Sequence, residues 1–154
     1  MLSKEERKQR NILFWDLFKK ETRGIPSSNG RKMNWVNYPT DVKTIFLRME
    51  LEHDAVRLCF DIQAKDDGIR AILYEQMTEL KKVLENCMTW ETRWLEHYPT
   101  KDGRVISRIL WENTELNFYN NDDFPQIINF LKDRIVEFDN FYQEFKDILV
   151  ALAE

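Results

Sequence analysis

Cysteine and histidine are scarce: two of each in 154 residues, at Cys59 and Cys87 and at His53 and His97, with no CxxC or CxxH spacing. That excludes a disulfide framework and a zinc site read from spacing, and both thiols are expected to pack as small apolar groups in a reducing compartment. Glycine is equally thin, with four residues, and no P-loop, G-x-G-x-x-G or G-x-S-x-G element can be assembled. No apolar run approaches the length of a membrane-spanning helix, and residues 1–10 lack the apolar core of a secretion signal. The chain is therefore expected to be cytoplasmic, away from membranes, with no cofactor and no metal.

What is present is a core. Apolar residues make up 43%, with five Trp and ten Phe, enough for one globular domain spanning 1–154. The net charge of −4 is unevenly spread. Residues 1–35 hold nine Lys/Arg against four Asp/Glu, a net of +5, so the remainder carries −9. An acidic whole argues against bulk electrostatic binding of nucleic acid, while the basic N-terminal stretch is either a local patch or a solubilising helix surface.

The organising stretch is 44–88. Ile45, Leu47, Met49 and Leu51 alternate with Phe46, Arg48, Glu50 and Glu52. After the His53-Asp54 turn, Val56, Leu58, Phe60 and Ile62 alternate with Arg57, Cys59, Asp61 and Gln63. Period two on both sides of a short turn predicts a hairpin with one buried face. From Asp66 the period changes: Ile69, Ile72, Leu73, Met77, Leu80, Val83, Leu84 and Met88 predict a helix over 66–88 that lies on that sheet.

Around this core, Ser3 with Glu6 forms a capping box and Gly24 with Pro26 a stop, predicting a helix over 3–22. Its segment Ile12 to Phe18 is apolar almost all round, which predicts clamping between surfaces or a seat in a partner's groove. Residues 24–32 read as a mobile linker, and Met33 to Thr40 as a first strand. Thr89 to Tyr98 alternates, with Trp90, Trp94 and Tyr98 on one face; Asp102-Gly103 predicts a turn, and Val105 to Trp111 the returning strand. Glu115 to Tyr119 reads as a short edge strand. Asp122, Asp123 and Pro125 start a helix over 123–152, longer than a small sheet can cover, so its far end should bend or project. The fold expected is α+β: an antiparallel sheet of about five strands, in the chain order α-β-β-β-α-β-β-α, with helices mainly on one face.

Six landmarks in order carry a family likeness: Phe14-Trp15 with Phe18, Asn34 to Thr40, Ile45 to Met49, Tyr74 to Lys81, Ile106 to Ile109 and Asp122 to Ile127. Together they resemble the bacterial domain of unknown function 4268 family, in its stand-alone form. The resemblance implies no established activity. Longer relatives carry a similar domain behind a predicted nuclease domain, which implies an accessory or specificity module in DNA-processing or defence systems. Phe124 stands where relatives often have Trp before Pro125, keeping a large apolar anchor.

That association makes one chemical test necessary. Metal-dependent nucleases of the restriction type end in (D/E)-x-K on adjacent strands, holding a divalent cation that polarises water. Asp41-Val42-Lys43 matches literally and Gln63-Ala64-Lys65 loosely, but both sit at element ends without an upstream acidic partner on a strand. Ser107 and His97 could be neighbours across the second hairpin, yet no oxyanion-hole signature accompanies them. No catalytic residue is assigned.

The second sheet face is the informative one. Arg48, Arg57, Arg93 and Arg108 should emerge there with Glu50, Asp61 and Glu91, among Phe46, Cys59, Leu95, Ile106 and Leu110. Such a face can be cross-strand ion pairing in solvent, an interface, or a seat for a phosphate-bearing ligand. The leading expectation is a non-enzymatic interaction module that binds a protein partner or a second copy of itself. The alternative is a nucleic-acid-binding accessory domain using those four arginines as its partner- or anion-binding residues. A divalent-metal-dependent nuclease comes third.

Overall fold

A computed structural model describes residues 2–154. Four strands form one antiparallel sheet: β1 (Ile45–Leu51), β2 (Val56–Ile62), β3 (Arg93–Pro99) and β4 (Val105–Asn113). The spatial order is β1-β2-β4-β3, so two hairpins are joined through β2 and β4, and β1 and β3 are the edges. Helices α1 (Lys4–Thr22), α2 (Asp67–Glu79), α3 (Lys81–Cys87) and α4 (Phe124–Ala153) complete the fold. The α+β class and antiparallel pairing are as expected; the strand number is four, not five.

The expected strand at 33–40 and the short edge strand read at 115–119 are both turns, and asparagine is the reason. Within 33–40, the Asn34 side-chain oxygen accepts from the N–H groups of Val36 and Asn37, curling the backbone out of extended form. Trp35 and Tyr38 both bury inward, a spacing of three that no strand allows. Within 115–119, Asn113 and Asn117 accept from the N–H groups two residues on, at Glu115 and Tyr119. Leu116 and Phe118 are buried beneath these turns. The second hairpin turn needs its glycine: Gly103 sits at φ +86°, where a side chain would be strained.

Helix α1 starts on the anticipated capping box, with Ser3 and Glu6 bonding each other's backbone N–H at 3.1 Å. Phe14 and Phe18 enter the core, and Arg10 donates to the Phe118 carbonyl at 2.8 Å while stacking over the Phe124 ring. Ile12 and Leu13, near half exposed, face away. One side of α1 is clamped and the other is free. The helix expected over 66–88 is broken at Leu80, whose φ/ψ of −95°/10° ends α2 and begins α3. Leu73, Met77, Leu84 and Met88 point to the core, whereas Ile69, Ile72 and Val83 face outward. Helix α4, about 45 Å long at 1.5 Å per residue, carries buried residues from Phe124 to Leu149.

All four helices share one core with the sheet face carrying Ile45, Leu47, Leu58, Phe60, Ile109 and Trp111. At its centre Phe138 stacks on Tyr142 and meets Phe60 and Trp111. The stretch 24–40, read from sequence as linker and strand, is bonded onto α4 instead. Asp139, 1% exposed, accepts from the hydroxyls of Ser27 and Tyr38, the N–H of Ser28 and the Gln143 amide. Trp35 donates its indole N–H to the Ile25 carbonyl and Tyr142 its hydroxyl to the Thr40 carbonyl. Burial, followed by the bond to Asp139, holds the Tyr38 hydroxyl well above the ordinary phenol range.

Candidate functional site, the helix-free face of the sheet

Hairpin alternation puts the odd-numbered β1 residues and even-numbered β2 residues into the core, so their neighbours occupy the opposite face. Register then decides who meets whom: Arg48 lies opposite Cys59, Glu50 opposite Arg57, and Asp61 opposite both Phe46 and Arg108. Strand β3 adds Arg93 opposite Leu110 and Leu95 opposite Arg108. Between Leu95 and Tyr98 the β3–β4 register shifts, and the bulge turns Tyr98 onto this face. The sequence pattern placed Tyr98 with Trp90 and Trp94; the extra residue reverses it. Its ring lies 4.3 Å from the Arg108 guanidinium.

The arginines are joined by carboxylates into one ladder. Arg108 forks onto Asp61, Nε to Oδ1 at 2.8 Å and Nη2 to Oδ2 at 2.9 Å, and reaches Glu50 at 3.1 Å. Arg57 bonds Glu112 at 2.6 Å and lies 3.7 Å from Glu50; Arg93 bonds the other oxygen of Glu112 at 3.1 Å. Arg48 differs. It stacks over Phe46 and has no carboxylate within ion-pair distance among the described residues.

Beneath the ladder, Cys59, Asp61, Ile106 and Leu110 are each 3% exposed or less, although among the described residues the helices' buried side chains cluster on the other face. The aliphatic stems of the arginines and the Tyr98 ring supply the cover. The apolar part of this face is thus sealed by its own charged residues. A shallow groove of about 510 Å³ remains, lined by Arg93, Leu95, Tyr98, Lys101, Arg108 and Glu112. Burial pushes the Cys59 thiol well up, so it is a packing group and not a nucleophile.

Asp61 has a pH consequence. Burial raises its carboxyl above the ordinary value, and the Arg108 bonds only partly oppose this. The native state therefore holds this proton more firmly than the unfolded chain. Its contribution to stability grows as pH falls through the raised folded value and is lost as pH rises through it. Relative to Asp61→Asn, the wild type should gain in melting temperature between pH 7 and pH 4. A relative loss over that interval would show the group is held as a depressed carboxylate.

The other chemical candidates separate. Asp41, at φ 64° in a turn, bonds the Lys146 ammonium at 2.8 Å. Ser107 donates its hydroxyl to the Glu96 carbonyl at 2.7 Å, and the His97 side chain points to solvent. Among the described residues no three His, Cys, Asp or Glu side chains gather closely enough to hold a metal ion. Nor is any helix among them long and apolar enough to cross a membrane.

What sequence reasoning missed was the partner of each arginine. The signal was the sign alternation Arg48/Glu50, Arg57/Asp61 and Arg108/Glu112, which becomes pairing once β4 lies beside β2. No curated protein and no solved structure matches the chain. The family model described as domain of unknown function (DUF4268) matches residues 11–146, from the apolar half of α1 through all four strands to most of α4, and the chain therefore belongs to that family.

Proposed function

We propose that this domain is a non-enzymatic cytoplasmic docking module for another protein. The carrying observation is the state of its arginines: Arg57, Arg93 and Arg108 are already bonded to carboxylates of the same chain. A phosphate track needs cations free to replace counterions. A charge-balanced face with the half-buried Tyr98 and Leu95 between the charges is the composition of a protein interface.

The test has two arms. Passed over immobilised duplex DNA and RNA at low salt, the domain is expected to flow through. Salt-sensitive retention, weakened by Arg48→Ala or Arg93→Ala, would transfer the function to nucleic-acid binding. In its native host cell, the tagged domain should retain one partner chain in stoichiometric amount. Loss of every such chain, with light scattering at micromolar concentration showing a monomer, would remove the docking reading.

A further inference from the structure

Strand β1 is an edge, and its outward side is unpaired. The Glu52 N–H donates to the Ala55 carbonyl and the Gln63 N–H to the Thr44 carbonyl, which fixes the phase of the hairpin. Even-numbered β1 residues direct their backbone groups to β2, and odd-numbered ones direct theirs outward. At Ile45 both outward groups are used, the N–H by Val42 and the carbonyl by Thr40. Among the described residues nothing bonds the outward N–H and carbonyl groups of Leu47, Met49 and Leu51. Such an edge is a template for another strand, and proteins usually blunt it with lysine, proline or a bulge. None of these interrupts Ile45–Leu51.

Space lies beside that edge. A groove of about 760 Å³ runs between β1, α1 and the 36–38 turn. Trp15, Val36, Phe46 and Met49 give it an apolar lining, and Lys19 and Arg48 bring two cations without a carboxylate. Neither cation has an ion-pair partner among the described residues, in contrast to the paired arginines elsewhere on the sheet.

We infer that the β1 edge accepts an extended segment of another protein as a fifth strand, with apolar and acidic residues alternating along it. The inference rests on the docking reading and names its partner chemistry. Main-chain bonds to Leu47, Met49 and Leu51 supply the pairing. Alternate apolar side chains fall on Trp15, Val36 and Met49, and the acidic ones meet Arg48, with Lys19 at the rim. A second copy of the chain fits less well. The two-fold pairing that uses all three free residues sets Leu47 against Leu51 and Arg48 against Glu50, which Arg108 already holds.

The probe is a short blocked peptide alternating valine with glutamate, compared with its valine–lysine counterpart. Addition of the glutamate peptide is expected to slow amide exchange at Leu47, Met49 and Leu51, with affinity falling about tenfold or more in Lys19→Glu/Arg48→Glu. Met49→Pro removes an outward N–H that the sheet does not use, so the fold should persist while the peptide is lost. Three results overturn the inference: no change at these amides, equal binding of the lysine peptide, or amides already slowed by a dimer that light scattering detects. Should the peptide slow only reverse-face amides such as Arg93 and Leu95, the edge assignment falls while the docking reading stands.

Discussion

Asp139→Ala is expected to lower the unfolding free energy by about 3–5 kcal/mol, a large part of a small domain's stability. The carboxylate takes donors from Ser27, Ser28, Tyr38 and Gln143, and no ion pair joins it among the described residues. Removing it leaves the buried hydroxyls of Ser27 and Tyr38 bare, each costing about 1–3 kcal/mol before water or relaxation recovers some, while the donors of Ser28 and Gln143 are nearer to solvent. Tyr38→Phe removes one donor and should cost only about 1–2 kcal/mol. Denaturant melts measure both, and amide exchange in Asp139→Ala should rise first across 24–40. An Asp139→Ala loss below that of Tyr38→Phe would mean that the hydrophobic seats of Trp35 and Tyr38, not the carboxylate, hold this stretch.

Arg108→Ala is expected to cost about 3–5 kcal/mol for a different reason. Here a charge, not a set of donors, is orphaned: Asp61 is 1% exposed and, among the described residues, the 5% exposed Arg108 is its only bonded partner. Glu50 would lose its shortest contact as well. Replacing the pair together, as Arg108→Met with Asp61→Leu, should recover most of the loss, since two well-packed apolar side chains carry no desolvation cost. Additive losses in the two single variants and the double would show that Arg108 acts mainly through its packing against Tyr98.

How much of this could be read from residues alone varies with range. The face assignment of Arg48, Arg57, Arg93 and Arg108 followed from period two, because a hairpin's register is local. Both helix starts at Ser3 and Asp66 were likewise local, since each cap bonds an N–H three residues away. The stretch 33–40 was misread because Trp35 and Pro39 suggest a strand. The deciding partner, Asp139, lies 101 residues beyond Tyr38. Nothing in Trp94 to Tyr98 announced the bulge that moves Tyr98. The insertion of β4 between β2 and β3 was also hidden, because alternation tells which way a side chain points but not which strand lies beside it.

The order β1-β2-β4-β3 has a consequence during synthesis. Strand β2 is central in the finished sheet, yet its second neighbour is the last strand made. While α2, α3 and β3 emerge from the ribosome, the nascent chain carries the bare inner flank of β2, rich in Val56, Leu58, Phe60 and Ile62. The crossover helices are already available to shelter those side chains, but only β4 can satisfy the backbone. Ribosome pausing before residue 113 would therefore extend the interval in which two unfinished copies could pair with each other.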